Sequence, residues 1–142
     1  MQQGIWLKAA GVALVMVAAS GAQAQNADWV PLGSLHDRIY AMYRPSLAPI
    51  DGGFLFGVLT DKDAAAEPDT LPDGKKYRSS FLTVEVNCAD TTFRIPRAKF
   101  FSGTHATGDV VAEDQVPPGE GWAPAQPDTI GGAFVGVACP GK

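Results

Sequence analysis

Residue types that build catalytic and metal sites are scarce in this sequence. It has two histidines, His36 and His105, and two cysteines. A zinc site needs about four His, Cys or carboxylate ligands at short spacings, and a serine nucleophile often lies in a G-x-S-x-G turn. Neither pattern is present, and no glycine-rich phosphate loop follows an expected strand. The sequence therefore predicts a protein that is not an enzyme and that carries no metal ion or other cofactor.

Basic residues are also few relative to acidic ones. The chain has 11 Lys and Arg against 15 Asp and Glu, a net charge of −4. This balance provides no electrostatic surface for nucleic acid or anionic lipid. After residue 24, no run approaches the roughly 20 apolar residues that cross a bilayer. We therefore expect no nucleic-acid partner and no membrane span once the N-terminal segment has been removed.

That N-terminal segment has the order of an export signal. Lys8 precedes an uncharged apolar stretch, residues 9–19, and small residues follow in Ala22-Gln23-Ala24. A basic start, a short apolar stretch and an A-x-A site are typical of a cleaved secretory signal. We expect cleavage between Ala24 and Gln25, which divides the chain into a signal peptide, 1–24, and one mature domain, 25–142.

The location after export is less constrained. No cysteine follows the apolar stretch, where a lipoprotein would be lipidated. Nothing in the sequence therefore fixes the protein to the outer surface. We expect a periplasmic protein, with the cell surface or association with the outer membrane as the alternative.

Both cysteines, Cys88 and Cys139, belong to the mature domain and are 51 residues apart. Exported chains meet an oxidising compartment, where two cysteines pair by default. Two buried free thiols are the alternative. On the chain-entropy model, closing a loop of this length is worth roughly 4 kcal/mol.

Short apolar or alternating runs between Gly and Pro residues indicate an antiparallel β fold. Long helical patterns are absent from most of the mature chain. The expected strands are Trp29–Leu32, Arg38–Tyr43, Phe54–Thr60, Tyr77–Cys88, Thr92–Phe101 and Asp109–Glu113.

The clearest strand is Ser80–Cys88, because its side chains alternate between apolar and mixed character. Successive side chains of a strand point to opposite faces. The apolar face, which we expect to meet the core, carries Leu82, Val84, Val86 and Cys88. The other face carries Phe81, Thr83, Glu85 and Asn87.

The C-terminal segment, residues 128–139, is ambiguous. An apolar stripe at helical spacing consists of Ile130, Ala133, Phe134, Val137 and Ala138. Thr129 provides a cap for such a helix, but three glycines oppose it at about 1 kcal/mol each. If the helix forms, it must end or tighten before Cys139 for that sulfur to reach the core.

Several segments occur in an order that resembles a known family. They are Asp28–Ser34, Phe54–Lys62, Val84–Asp90, Phe100–Gly103, Gly108–Val111, Trp122–Pro124, Pro127–Gly131 and Val137–Cys139. This order resembles the surface-adhesin protein E family, small exported proteins of Gram-negative bacteria. The sequence departs from that family at Gly57, where a large aromatic residue is common, and at Arg44-Pro45, where Asp-Pro is frequent.

The resemblance implies an α+β fold that is mostly β. Its features are a single antiparallel sheet of about six strands and a C-terminal helix on the concave face. The disulfide tethers that helix, and Cys88 and Cys139 match the family's two cysteines. The family role that the resemblance implies is adhesion to host proteins, but no binding residue transfers by motif.

For function, we expect a non-catalytic protein that contacts host or envelope proteins. The surface left free is the sheet face opposite the helix, with Phe81, Thr83 and Glu85, and the nearby hairpin with His105. Mixed aromatic and polar groups suit a protein interface, although a loop that simply covers Phe81 is the alternative. The same face allows a homodimer. The alternative function is a periplasmic structural or small-ligand-binding domain with no adhesive role.

Overall fold

A computed structural model describes residues 28–141 as nine strands and one helix. The expected cleavage site between Ala24 and Gln25 lies outside the described residues. The strands are β1 (Trp29–Leu35), β2 (Arg38–Ile50), β3 (Gly53–Lys62), β4 (Asp69–Thr70), β5 (Lys76–Tyr77), β6 (Ser79–Asn87), β7 (Thr92–Phe101), β8 (Val110–Gln115) and β9 (Ala123–Pro124). The helix is α1 (Ile130–Ala138).

Seven of the strands form one curled antiparallel sheet. Its order is β1-β2-β3-β6-β7-β8, and β9 pairs with the start of β7. A separate ribbon consists of β4 and β5. The expected mostly-β fold with a C-terminal helix and a disulfide is therefore confirmed. One boundary differs, because Tyr77 belongs to β5 while the long strand begins at Ser79.

Strand β2 continues beyond Tyr43, where the sequence predicted its end. The pairing with β3 is interrupted between Tyr43 and Ala48 and then resumes. Within the bulge, the Ser46 hydroxyl donates to the Tyr43 carbonyl at 2.6 Å and accepts from the Gly57 backbone N–H at 2.7 Å. A side chain thus replaces a missing ladder bond, so that Pro45 is accommodated without ending the strand.

The sheet face that carries α1, which we call the helix face, contains the core. Alternating strand residues supply it: Phe56, Val58, Leu82, Val84, Val86 and Ala98. From α1, Phe134 packs edge-to-face on Phe56 at 6.1 Å and on Phe93 at 5.7 Å between ring centroids. These T-shaped contacts add to the gain from burial.

Helix α1 is capped by Thr129, whose hydroxyl accepts from the Gly132 N–H. Its orientation differs from the sequence prediction by about one position. The buried residues are Gly131, Phe134, Val135 and Ala138. The reason lies at Gly131, because a side chain there would overlap the Phe93 ring, with a Cβ only 2.9 Å from Cδ1. The glycine that weakens the helix therefore lets it approach the sheet.

The Cys88–Cys139 disulfide holds the C-terminal end of α1 to the sheet. Its two Cα atoms are 5.7 Å apart, within the usual range for a disulfide. The helix ends at Ala138, and Cys139 is extended, with φ −98° and ψ 120°. The sequence required such an ending for the sulfur to reach the core face, and the structure confirms it.

At the other end of the helix face, the β4–β5 ribbon covers a buried cation. Arg38 contacts Asp69 at 2.6 Å and donates to the hydroxyl of Thr60 at 3.0 Å. Lys62 contacts the same carboxylate at 2.8 Å. Burial alone would raise the pKa of Asp69, but hydrogen bonds from Lys62 and Arg38 outweigh it and hold that pKa below its ordinary value of 3.8. The pairing fastens the ribbon to the sheet.

Candidate binding face

The sheet face opposite α1, which we call the open face, is built from cross-strand rows of side chains. Residues directly opposite one another in antiparallel strands lie on the same face. One row runs from β1 to β8 through Pro31, Ala41, Leu59, Phe81, Lys99 and Glu113. The next row consists of Trp29, Tyr43, Gly57, Thr83, Arg97 and Gln115.

Its two halves differ in chemistry. On β1 and β2 the face is apolar, with the rings of Trp29 and Tyr43 at 4.9 Å and Ile39 59% exposed. On β7 and β8 it is charged, with Arg97 and Lys99 both exposed. The open face therefore joins an aromatic and aliphatic half to a predominantly cationic one.

Phe81 lies at the junction of these halves. A Cβ on Gly57 would lie 2.5 Å from the Phe81 Cζ atom, so the ring extends over this glycine. Phe81 is half-buried through this contact with its own sheet. The aromatic side chain that the family often has at position 57 is thus replaced in space by an aromatic side chain from the neighbouring strand.

Glu85 lies on the open face as the alternation predicts, but it is already paired. The Arg94 Nε donates to its carboxylate at 2.7 Å, and Arg94 is 8% exposed. The same guanidinium donates to the carbonyls of Pro117 and Glu120 and lies 5.8 Å from the Trp122 ring centre. Glu85 therefore helps to hold the connector before β9, and a partner would meet it with its charge neutralised.

His105 lies at one end of the open face, in the hairpin between β7 and β8. Its backbone N–H donates to the buried carboxylate of Asp61 at 3.1 Å, and its Nδ1 lies 3.2 Å from the same group. The Ser79 hydroxyl also fastens the hairpin, by donating to Gly103 and accepting from Ala106. The His105 side chain is 75% exposed, so it remains accessible.

The structure thus places three of the expected binding residues together and the fourth at the margin. Phe81 and Thr83 line one surface depression, and Thr83 and Glu85 line the next. His105 lines a third depression with Asp61 and other residues. Whether these residues bind a partner remains a prediction.

The sequence reasoning did not select Arg97 or Lys99, which lie beside Thr83 and Phe81 on β7. The alternation in the second half of that strand was the available signal. Ala98 faces the core, and the charged residues on either side of it face outward. Trp29 and Tyr43 were likewise missed, because their proximity depends on the register between β1 and β2.

Two searches for other kinds of site give simple results within residues 28–141. In this part of the chain, no three His, Cys, Asp or Glu side chains are grouped to hold a metal ion. The helix present there is also too short and not apolar enough to traverse a bilayer.

Comparison with known proteins agrees with this architecture, a small disulfide-closed sheet covered by a helix on one face. A family model described as surface-adhesin protein E matches residues 29–140. The structure of Haemophilus influenzae protein E is 16% identical, with a TM-score of 0.53 over 78% of this chain and 83% of that chain. A second crystal form of that protein gives 16% identity, a TM-score of 0.54, and coverage of 78% and 86%. No curated protein sequence matches.

The family match spans nearly all of the described residues, so the chain belongs to the surface-adhesin protein E family. At 16% identity, the structural likeness establishes the fold alone. Membership in a family of surface adhesins indicates an exported or surface protein, and the family is one of adhesins rather than of enzymes.

Proposed function

We propose that this protein binds other proteins through the open face and has no catalytic role. The observation that carries the proposal is the pair of side-chain rows that crosses the sheet from β1 to β8. The opposite face is occupied by α1 and the β4–β5 ribbon. Binding therefore has to use the open face or the loops at its ends.

The composition of the open face suits a protein interface. Interface centres are enriched in Trp, Tyr, Phe and Arg, whereas their rims are more polar. Trp29, Tyr43 and Phe81 supply rigid rings, and exposed Ile39 adds apolar area beside them. Arg97 supplies a forked cation on the next strand. This arrangement also allows contact with a second copy of the chain, so the mass in solution is the first measurement.

The test is a binding screen of the purified mature domain against envelope and extracellular-matrix proteins. Ile39→Asp combined with Phe81→Ser places a charge on the apolar half and removes the ring at the junction. We expect a loss of affinity of about tenfold or more, as for truncated interface anchors. Glu85 is left unchanged because its removal would leave buried Arg94 without its carboxylate.

Gly136→Glu is the matched control. Gly136 is an exposed residue of α1, and an added Cβ would meet no atom within 4 Å. It adds one negative charge on the opposite side of the molecule. If the open-face variant and the control retain every detected partner and the same solution mass, binding does not use the open face. Turnover of a substrate that His105→Ala abolishes would also contradict the proposal.

The periplasm is our proposed location, because no cysteine follows the N-terminal apolar stretch as a lipid-anchor site. Protease added to intact cells tests this directly. Protection until the outer membrane is opened supports the periplasm, whereas digestion without lysis shows surface display. The intact mass of the same protein tests whether it begins at Gln25.

A further inference from the structure

A depression on the cationic half of the open face has aromatic and basic walls. Its volume is about 440 Å³, and it is lined by Phe81, Thr83, Arg97, Lys99, Phe101 and Ala106. Two phenylalanine rings provide apolar surface, while two long cationic side chains extend from β7 beside them. Such a combination favours a ligand that presents both an apolar group and a negative charge.

Arg97 differs from the other cations of the protein. Among the Lys and Arg side chains within residues 28–141, it is the one with no protein partner. Arg38 and Arg94, by contrast, are buried and paired with carboxylates. Lys99 lies 3.4 Å from Glu113, but both groups are about half exposed, so this contact is weak. Arg97 is thus available to an anion from outside.

A second depression continues from the first. It has a volume of about 530 Å³ and shares Thr83 and Arg97 with its neighbour. Its other walls include Leu55, Pro96 and Val116, and its Glu85 is neutralised by Arg94. We call the two depressions together the Arg97 groove. Because Arg97 belongs to both, the groove presents a cation between two partly apolar compartments.

The shape and charge of the groove together favour an extended segment over a single small ion. A strand-like ligand places alternate side chains on one side, so that a carboxylate can meet Arg97 while apolar neighbours enter the compartments. The whole chain has a net charge of −4. General electrostatic attraction therefore would not bring an acidic ligand to this protein, and a local cationic groove is needed.

We propose that the Arg97 groove binds an acidic, extended segment of a partner protein. A carboxylate of that segment accepts hydrogen bonds from the Arg97 guanidinium, whose planar fork fits two carboxylate oxygens. Lys99 adds positive charge, and Phe81 and Phe101 contact an adjacent apolar side chain. This inference rests on the proposed function, since it names the chemistry of a partner for the open face.

The probe is a labelled ten-residue peptide of alternating Glu and Leu, compared with its Gln and Leu counterpart by fluorescence anisotropy at low salt. We expect the acidic peptide to bind the mature domain about tenfold tighter, a typical effect of a charge-assisted hydrogen bond. Arg97→Gln should remove most of that preference. Arg97→Lys should keep only part of it, because the charge stays and the fork is lost.

Lys75→Gln is the matched control, since it makes the same charge change at an exposed residue whose distance to Asp73 is 3.9 Å. Circular dichroism checks that each variant is folded. Equal binding of the two peptides, or equal losses in Arg97→Gln and Lys75→Gln, overturns the inference.

A heparin-derived oligosaccharide is the competing probe. Arg97-dependent binding of the oligosaccharide without binding of the acidic peptide also overturns the inference. Failure of the peptide test leaves the open face as a protein-binding surface if Ile39→Asp with Phe81→Ser still weakens a detected partner. Failure of both experiments removes the proposed function as well.

Discussion

The two faces of the main sheet come from the same strands but are completed in different ways. On the helix face, α1 places Phe134 between the rings of Phe56 and Phe93, and a disulfide fixes its end. On the open face, Phe81 lies over Gly57, and Arg97 has no partner within the described residues. The contrast teaches that stability and recognition are assigned to opposite sides of one sheet. Substitutions on the open face should therefore change binding with little effect on folding.

The largest effect is expected from Phe134→Ala on the helix face. Phe134 is 1% exposed, and removal of a buried ring costs about 3–5 kcal/mol through lost transfer energy and the remaining cavity. Chemical denaturation provides the measurement. Gly136→Ala is the control on the same helix, where a solvent-facing methyl should be neutral or stabilise by up to about 1 kcal/mol. A loss below about 1 kcal/mol for Phe134→Ala would show that α1 contributes little to the core.

The disulfide should contribute the next largest effect. Replacement of both Cys88 and Cys139 by Ser should lower the free energy of unfolding by about 2–5 kcal/mol, the usual loss for a small exported domain. The same comparison in the wild type is made by reduction. Labelling of either cysteine with a thiol reagent in the unreduced native protein would contradict the pairing.

Asp69→Asn tests the ribbon at the far end of the helix face. It removes the charge partner of Arg38, a residue 6% exposed, and should cost about 1–3 kcal/mol near neutral pH. Because the folded protein depresses the pKa of Asp69, its contribution is present above the ordinary carboxyl pKa of 3.8 and is lost as the pH falls through the lower folded value.

The stability difference between wild type and Asp69→Asn should therefore shrink under acid conditions. Thermal unfolding from pH 7 to about pH 2 provides the readout. Asp51→Asn, an exposed carboxylate in the β2–β3 turn, is the control for general charge effects. A constant difference for Asp69→Asn across this range would mean that the carboxylate does not titrate as a paired group.

The smallest and sharpest test makes one chemical change on both faces. Gly131→Ala forces a methyl against Phe93, which is held by Phe134, and should destabilise by about 1–3 kcal/mol as overpacking does. Gly57→Ala meets the end of Phe81, which can move toward solvent, and should cost less than about 1 kcal/mol. Equal losses, measured by denaturation of both variants, would show that Phe81 is as tightly packed as Phe93.

Local pattern was enough to predict much of the fold. Both ends of β7, Thr92 and Phe101, were predicted correctly, and the alternation in β6 identified the core face. These features depend on side-chain period and turn residues, which lie close together in sequence. The cap at Thr129 was predicted for the same reason.

Features that depend on distant residues were not predicted. The rotation of α1 follows from contact between Gly131 and Phe93, and the continuation of β2 follows from the bond between Ser46 and Gly57. The candidate site shows the same division. Phe81, Thr83 and Glu85 were placed on one face by alternation, but the pairing of Glu85 with Arg94 depends on strand register. Single-sequence patterns contain no direct information on such long-range contacts.

The sulfur bridge also determines how mechanical tension would travel through the molecule. A force applied to the backbone after Cys139 passes through the bridge to Cys88, which directly follows β6. Because β6 is held between β3 and β7, the load enters the sheet at an interior strand. The helix bears tension only when the bridge is reduced, and it would then peel away turn by turn. For a protein attached at both ends, one covalent bond keeps α1 out of the line of force.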